Sequence, residues 1–210
     1  MRVSAAVLIF AKAPVPGEVK TRLLPMLSPR RAAALHARLT HDLIAGLSRS
    51  GPGRLYLYCH PGTAHPFFLG LRRRFGVTLR PQRGRDLGER MLNAAAEALA
   101  LHARVLLIGC DCPVLTPDLC RQALAALKCN DVVLGPAEDG GYVLIGLRRP
   151  VEALFRNLAW GSAAVLAETR RRIASLGLRH HELPTLWDLD RPEDLVRYRQ
   201  YQRSTTCNWR

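Results

Sequence analysis

Short apolar runs alternate with helix-like segments along nearly the whole chain, and this alternation restricts the fold more than any other feature. Continuous apolar runs such as AAVLIFA (5–11) and RVLLIG (104–109) are typical of strands that are buried on both faces. Helical segments lie between such runs and begin with capping residues, for example Ser28 directly before Pro29. Strands that alternate with helices predict an α/β fold with a parallel sheet covered on both faces.

The length and composition are those of one globular domain. The chain has 210 residues, of which 48% are hydrophobic and 23% charged, enough for a sizeable core in an ordinary soluble protein. We expect one domain over residues 1–202 and a frayed tail over 203–210. The first apolar run is short, follows a weakly charged start and continues into a Pro/Gly loop. We therefore interpret it as a core strand rather than a signal peptide, and expect a cytoplasmic protein without a membrane span.

The net charge of +14 permits several classes of anionic partner. It is compatible with a nucleic-acid-binding protein, but the chain has no aromatic-interleaved basic strands and no recognisable binding module. The two RRR runs, at 72–74 and 170–172, fall in predicted helices, and we interpret both as solvated helix faces. A basic chain also suits a small acidic substrate such as a nucleotide.

The six cysteines do not indicate a metal centre or a disulfide framework. No two of them form a C-x-x-C pair. Cys110 and Cys112 flank Asp111, but no matching cysteine or histidine cluster accompanies them in the sequence. Neither a soft-metal site nor a catalytic thiol is therefore favoured.

The loop after the first strand is the first candidate site, because ligands of parallel sheets bind beyond the carboxyl ends of the strands. The chain has only three lysines, and two of them lie in the stretch IFAKAPVPGEVKTRL (9–23). A P-loop is excluded, because Val19 and Pro14 stand where that motif requires glycine. What remains is a flexible basic loop suited to phosphate oxygens. Its candidate substrate-binding residues are Lys12, Gly17, Lys20, Thr21 and Arg22.

Aspartates follow other predicted strands. Asp111 comes at the end of the strand 104–109, where a carboxylate is well placed to hold Mg²⁺ together with substrate phosphates. Asp190 precedes the last predicted helix and is our candidate for a second metal ligand, with Asp188 as the alternative. An N-cap role is the competing interpretation of both.

Two glycine-containing loops complete the candidate set. Asp139, before Gly140 and Gly141, is expected near the metal or the acceptor, although the same residues are also typical of a tight hairpin turn. Gln82 and Gly84 follow a short predicted strand, and an amide beside a glycine could contact a nucleotide base. A plain turn explains that pair equally well.

Taken together, six motifs in this order resemble a known family. They are FAKAPVPGEVKTRL, QRGRDLGERM, LIGCDCPVLTP, GPAEDGGYVLIGL, LFRNLAW and LWDLDRPEDL. They resemble an uncharacterised bacterial family assigned as glycosyltransferases, within the GT-A or nucleotide-diphospho-sugar transferase superfamily. The chain is also similar to phospholactate guanylyltransferase and molybdenum cofactor nucleotidyltransferases.

The resemblance implies a Rossmann-like three-layer α/β/α sandwich with a mostly parallel, mixed sheet. It also implies that Lys20 and Arg22 contact nucleotide phosphates, and that Asp111 and Asp190 bind Mg²⁺ or Mn²⁺. We expect Lys20, Asp111 and Asp139 to act in catalysis.

The predicted function is a magnesium-dependent transferase that joins part of a nucleotide substrate to a small-molecule acceptor. Nucleotidyl transfer from an NTP and glycosyl transfer from an NDP-sugar both remain open, because one fold serves both chemistries. A basic nucleic-acid-binding protein and a non-catalytic nucleotide-binding protein are the alternatives.

Overall fold

A computed structural model describes residues 5–206, which fold around one seven-stranded sheet. The strands are β1 (Ala6–Lys12), β2 (Arg54–His60), β3 (Thr78–Pro81), β4 (Val105–Gly109), β5 (Val132–Pro136), β6 (Tyr142–Leu147) and β7 (His180–Glu182). The helices are α1 (Pro29–Ser50), α2 (Pro66–Phe75), α3 (Leu87–Leu99), α4 (Pro117–Ala126), α5 (Val165–Ser175) and α6 (Pro192–Thr206). Two 3₁₀ helices lie at Thr21–Leu23 and Glu152–Leu154.

The sheet is mixed, as the family resemblance implies, rather than wholly parallel. The strand order is β3-β2-β1-β4-β6-β5-β7, and β6 runs antiparallel to both β4 and β5. The short connection between β5 and β6 makes them a hairpin, since a parallel crossover needs a dozen or more residues. The carboxyl ends of β1, β4 and β5 therefore lie at the same edge of the sheet as the amino end of β6.

Alternation along β1 divides the core into two layers. Val7 and Ile9 pack in the layer that also contains α1, α2 and α4 residues, whereas Ala6 and Leu8 pack in the layer with α3 and α5. All four side chains are fully buried. A central strand covered on both faces reads as a continuous apolar run, which confirms the three-layer α/β/α prediction.

A third, smaller apolar cluster lies beside the first loop. Leu23 in the first 3₁₀ helix packs with Leu39 of α1, and with Trp187 and Leu189 from the loop before α6. Leu23 and Leu189 are fully buried. This cluster holds the basic loop after β1 against the aspartate-containing loop before α6, although the two are far apart in the sequence.

The run at 170–172 differs in part from the solvated face that we predict: Arg170 and Arg171 are exposed but form ion pairs, and Arg172 is largely buried. Arg170 pairs bidentately with Glu182, and Arg171 pairs with Glu168. Arg172 is only 16% exposed; it contacts Glu168 and donates to backbone carbonyls of the segment 153–157. The run at 72–74 is exposed in the last turn of α2, as predicted, where cations favour the helix dipole.

The end of α6 differs from the frayed tail that we expect over 203–210. The helix continues to Thr206 and so includes the first part of that segment. Residues 207–210, including Cys207, lie outside the described residues.

Hydrophobicity along the helices bears on the membrane prediction. None of the helices within residues 5–206 combines the length and the apolar character that crossing a bilayer requires.

Candidate active site

A cleft of about 500 Å³ opens at the carboxyl ends of β1 and β4. The loop after β1 forms one wall, α3 and the segment before it form another, and the end of β4 forms the floor. Charged side chains of both signs face it. The cleft-lining residues with charged or polar side chains are Lys12, Glu18, Lys20, Thr21, Arg22, His36, Gln82, Arg90, Cys110, Asp111 and Asp190.

Lys20 lies at the centre of this cleft, held by oxygens from two loops. Its Nζ is 2.7 Å from Asp111 Oδ1 and 2.8 Å from Asp190 Oδ1, and it donates to the Leu189 carbonyl at 2.5 Å. The side chain is 2% exposed. A lysine is rarely buried to this extent unless it is paired, and here Lys20 donates to the Leu189 carbonyl and to Asp190 and forms an ion pair with Asp111.

Asp111 is positioned by three connections. The chain leaves β4 at Gly109, and the Asp111 carbonyl accepts from Leu189 N at 2.9 Å, which joins the loop after β4 to the loop before α6. Asp111 Oδ1 is buried beside Lys20, and His36 Nδ1 lies 3.4 Å from it. The other face of the carboxyl group is open, since the side chain is 39% exposed.

The protonation of this pair follows from burial and charge. Burial alone would lower the pKa of Lys20, but the carboxylates of Asp111 and Asp190 outweigh it and raise that pKa above its ordinary value. Burial likewise opposes ionisation of Asp111, yet Lys20 and His36 hold the pKa of Asp111 well below its ordinary value. Both groups are therefore charged at neutral pH.

The loop before α6 presents Asp190 to the cleft. Asp194 in the first turn of α6 accepts from Asp190 N at 3.0 Å and from Arg191 N at 2.7 Å, which stabilises the start of the helix. Asp190 Oδ2 lies 3.8 Å from Arg22. Asp188, our alternative ligand, is not among the described residues that line the cleft. Burial, followed by the charges of Asp111 and Asp190, raises the pKa of Asp188 to about 8.

The donor set suits a divalent cation such as Mg²⁺ or Mn²⁺. Asp111 Oδ1 and Asp190 Oδ1 approach one Lys20 nitrogen within 3 Å, so the two carboxylates are already arranged around a single positive charge. The Leu189 carbonyl adds a third hard oxygen. Carboxylate and carbonyl oxygens are the ligands that such cations prefer.

His36 is a cleft residue that our sequence analysis missed. It is 4% exposed on the buried face of α1, and its Nε2 donates to the Lys12 carbonyl at 3.1 Å. It thereby connects the end of β1 to Asp111. The signal in the sequence was a histidine on the mainly apolar face of α1 that Ala33, Ile44 and Leu47 help to form.

His36 also corrects our statement that no histidine accompanies the cysteines around Asp111. One ligand atom each from His36, Cys110 and Asp111 lie within 4.8 Å of one another. Cys110 is buried, and burial followed by the charge of Asp111 raises the pKa of its thiol to about 12. A protonated thiol is a poor ligand and a poor nucleophile, so hard-oxygen binding remains the better description of this site.

Three cationic side chains line the cleft beside these carboxylates. Lys12 is exposed at the end of β1, Arg22 follows Lys20, and Arg90 of α3 faces them across the opening. Arg90 donates to the Gly84 carbonyl at 3.2 Å, and its NH1 lies 3.4 Å from His60 Nδ1 at the end of β2. This concentration of positive charge beside two carboxylates suits a polyphosphate with its bound cation.

Titration of His60 reports on this cationic wall. Burial, followed by the charges of Arg90 and Lys12, lowers the pKa of His60 below its ordinary value of 6.5. Phosphates bound between these cations should raise that pKa, so ligand binding should take up a proton and be tighter at lower pH. NMR titration of the imidazole resonances with and without ligand measures this. The resonance of His65, at the N-cap of α2, serves as the reference, and an unchanged His60 pKa would place the phosphates elsewhere.

Two of the predicted base-contacting residues have structural partners. Gln82 lines the cleft, but its Nε2 donates to the Tyr58 carbonyl at 2.9 Å and to the Ala11 carbonyl at 3.3 Å. The amide nitrogen of Gln82 therefore links the ends of β1, β2 and β3, and a ligand in the cleft could contact the Oε1 atom. Gly84 is not among the described cleft-lining residues; its carbonyl accepts from Arg90.

The loop between β5 and β6 is a hairpin turn, which is the alternative that we gave for it. Asp139 Oδ1 accepts from Gly141 N at 2.9 Å, and the Gly140 carbonyl accepts from Leu166 N at 2.9 Å. None of these turn residues is among the described residues that line the cleft. Asp139 is nevertheless near enough for its charge to contribute to the raised pKa of Asp188.

Glu138 connects this hairpin to α6. Arg197 donates to Glu138 through both terminal nitrogens, at 2.7 and 3.0 Å, and its guanidinium lies 4.5 Å from the centre of the Trp187 ring. The hairpin and the loop that carries Asp188 and Asp190 are thus held together from outside the cleft.

The fold and the cleft together define the class of protein. The chain shares its α/β fold with solved nucleotidyltransferases and a nucleotide-diphospho-sugar transferase, and the charged cleft lies at the edge where parallel sheets bind ligands. The chain belongs to DUF2064, a family of uncharacterised proteins conserved in bacteria, whose model matches residues 43–162. The matched segment includes Asp111 and Asp139 but neither Lys20 nor Asp190.

A solved relative covers more of the chain. A protein from Desulfovibrio desulfuricans, provisionally assigned as a nucleotide-diphospho-sugar transferase, is 34% identical, with a TM-score of 0.81 over 89% of this chain and 82% of its own. The chain is also 33% identical to a molybdenum cofactor guanylyltransferase from Shewanella baltica over 78 residues. That match spans 37% of this chain and 37% of the relative.

A more distant structure shares the fold. A Mycobacterium tuberculosis protein solved in complex with manganese is 18% identical, with a TM-score of 0.54 over 94% of this chain and 98% of its own. At this level of identity the likeness concerns the arrangement of strands and helices alone. It agrees with the α/β prediction.

Proposed function

We propose that this chain, as one domain over residues 1–202, is a divalent-metal-dependent transferase that binds a nucleotide through its diphosphate or triphosphate. The observation that carries the proposal is the meeting of two charged sets in one cleft. Lys12, Arg22 and Arg90 line the cleft together with the paired carboxylates of Asp111 and Asp190. Cations for phosphate oxygens and hard oxygens for a metal ion are the two requirements of nucleotide phosphate chemistry.

The charged residues of the cleft have different roles in this proposal. Asp111 and Asp190 would hold Mg²⁺ or Mn²⁺, which when bound neutralises charge on the leaving group. Lys12, Arg22 and Arg90 bind and orient the phosphates. Lys20, which lies beside the carboxylates, donates to the phosphates. His36 holds Asp111 in position relative to the end of β1. Because the protein supplies mainly position and charge, no covalent side-chain nucleophile is needed.

We infer the position of the acceptor from the residues that lie near Asp188. Asp139, with Gly140 and Gly141, follows β5 at the same edge of the sheet, and its charge reaches Asp188. We propose that this hairpin faces a small-molecule acceptor. The solved relative assigned to nucleotide-diphospho-sugar transferases and the curated guanylyltransferase support the two chemistries that a nucleotide substrate allows.

A shift in melting temperature with ligand is the first test. Each NTP and several NDP-sugars are added with and without Mg²⁺ or Mn²⁺. Saturation at 100 times Kd stabilises a native state by about 2.7 kcal/mol, a rise of about 5–10 °C for a chain of this size. We expect such a rise with one nucleotide class and only with metal present. If no nucleotide or NDP-sugar raised the melting temperature, the proposal would be contradicted.

Further measurements make this test specific. Lys128 lies near the end of α4 at the opposite edge of the sheet, so Lys128→Ala is the control for substitutions of the cleft lysines and should respond to ligands like the unaltered chain. Release of pyrophosphate from an NTP identifies nucleotidyl transfer, whereas release of a nucleoside diphosphate from an NDP-sugar identifies glycosyl transfer. Binding to random DNA that is steeply salt-dependent and indifferent to nucleotide would instead support the nucleic-acid alternative.

A further inference from the structure

The ammonium of Lys20 lies where an oxygen-coordinated cation would lie. Asp111 Oδ1, Asp190 Oδ1 and the Leu189 carbonyl surround its Nζ at 2.7, 2.8 and 2.5 Å. These are the same hard oxygens that the proposed function assigns to the metal ion. Two cations cannot share one set of oxygens at such distances without strong repulsion. Lys20 and a divalent cation therefore compete for Asp111 Oδ1 and Asp190 Oδ1.

The backbone at Lys20 is held in an uncommon conformation by these contacts. Its φ of 52° and ψ of 37° are left-handed, a region that a residue with a side chain rarely adopts. Lys20 directly precedes the 3₁₀ helix Thr21–Leu23, and the exposed residues Pro16, Gly17 and Glu18 lie just before it. Among residues 5–206, release of the two ion pairs would leave the Leu189 carbonyl as the remaining polar contact of the ammonium, in a backbone conformation that is itself costly.

An alternative partner for the ammonium is available in the same cleft. Lys12, Arg22 and Arg90 would bring nucleotide phosphates beside Lys20. A phosphate oxygen can accept from the ammonium in place of a carboxylate oxygen. Movement of Lys20 from carboxylate to phosphate then uncovers the carboxylates at the moment when the metal ion arrives with the nucleotide.

We infer that Lys20 is an internal counter-ion that occupies the divalent-cation site of the resting protein and leaves it when a metal–nucleotide complex binds. This inference rests on the proposed function and adds to it the form of the substrate. The resting chain takes up free divalent cation weakly, and the metal enters together with the polyphosphate. Lys20 thus acts as a positioning residue before it contacts the substrate.

Mn²⁺ binding without nucleotide tests the inference. Free Mn²⁺ is followed by electron paramagnetic resonance in the unaltered chain, in Lys20→Gln and in Lys20→Arg at pH 7.5. We expect Lys20→Gln to bind Mn²⁺ at least about ten-fold more tightly, because a cation beside the site is gone. Lys20→Arg should stay close to the unaltered chain. Lys12→Gln removes a lysine that lines the same cleft outside the carboxylate pair, and should change the affinity less than about three-fold.

A second readout needs no variant. With only three lysines in the chain, acetylation at each can be quantified by peptide mass spectrometry. Lys20 should be protected at rest and become more reactive in saturating Mn²⁺ without nucleotide, because the metal ion displaces it. Lys128 serves as the internal reference. An unchanged reactivity of Lys20 under saturating Mn²⁺ would overturn the inference even if the Lys20→Gln chain did not fold.

The outcomes separate the inference from the proposed function. Equal Mn²⁺ affinity of Lys20→Gln and the unaltered chain, alongside metal-dependent stabilisation by a nucleotide, overturns the counter-ion and leaves the transferase in place. Tighter Mn²⁺ binding by Lys20→Gln that disappears when Asp111→Asn is added supports the counter-ion. If that tight binding occurs but no nucleotide stabilises the unaltered chain, the proposed function fails while the exchange at the carboxylates stands. Absence of Mn²⁺ binding in every variant overturns the counter-ion, and the proposed function fails with it only if no nucleotide stabilises the chain in the presence of metal.

Discussion

The Asp111→Asn variant is expected to lose transfer activity by about 10²–10³-fold, the usual effect of removing one electrostatic contact to the reacting charge. Metal-dependent stabilisation by nucleotide should disappear with it. Asparagine keeps the shape of the side chain but removes the charge that faces Lys20 Nζ at 2.7 Å and the open cleft. Activity with saturating Mn²⁺ and the nucleotide-induced rise in melting temperature measure the two effects.

The same variant should also lower the free energy of unfolding. It leaves the buried ammonium of Lys20 with Asp190 and the Leu189 carbonyl as its remaining oxygen partners. Breaking a buried ion pair costs about 3–5 kcal/mol, and partial exposure of Asp111 reduces our expectation to about 1–3 kcal/mol. Because the pKa of Asp111 is held below its ordinary value, this contribution is present above pH 4 and is lost as the pH falls further.

Asp118→Asn is the matched control for Asp111→Asn. Asp118 is exposed in the first turn of α4 and pairs with Arg121 on the surface. Exposed pairs contribute about 0–1 kcal/mol, so this variant should keep activity, metal response and nearly all stability. Metal-dependent nucleotide binding that survives in Asp111→Asn would contradict the site that we propose.

Gly140→Ala is expected to destabilise the chain by about 2–4 kcal/mol, the sum of backbone strain and overpacking. The φ of Gly140 is +85°, and a Cβ there would lie 2.3 Å from the Ala163 carbonyl oxygen and 2.8 Å from Ala163 Cα. Both atoms belong to backbone, which also donates to the turn through Leu166 N. The β5–β6 hairpin and the segment before α5 would have to separate. Urea unfolding followed by tryptophan fluorescence measures the loss.

Gly17→Ala separates the two causes. Gly17 has almost the same φ of +87°, but no atom lies within 4 Å of a Cβ built there. Its replacement should cost only the backbone strain, about 1–2 kcal/mol. Equal losses for Gly17→Ala and Gly140→Ala would show that close packing against Ala163 contributes nothing, and would refute our explanation of the glycine pair.

The layered fold was predictable because its causes are local. The run 5–11 is apolar at every position, and a strand buried on both faces needs that composition. Ser28 before Pro29 predicts the start of α1, and the Ser28 hydroxyl does accept from Arg31 N. The direction of β6 was not settled by the alternation of strands and helices, because the hairpin depends on how five residues close between β5 and β6.

The residues of the cleft were predictable in part, and their pairing was not. Two lysines in one loop and an aspartate at the end of β4 mark the cleft correctly, since parallel strands bring their carboxyl ends to one edge. The burial of Lys20 depends on Leu189 and Asp190, which are 169 and 170 positions away in the sequence, and no local pattern encodes that contact. The role of Gly140 also depends on a packing partner distant in sequence, Ala163.

Local sequence therefore accounts for the strands, the helix starts and the kinds of charge at the ligand-binding edge of the sheet, since each depends on neighbouring residues and on backbone geometry. Packing between distant segments accounts for the rest. It placed His36 beside Asp111, turned Gln82 toward the strand ends and closed Lys20 against two carboxylates. These contacts form because an unpaired charged or polar group is costly to bury, and the tertiary fold determines which partners are near.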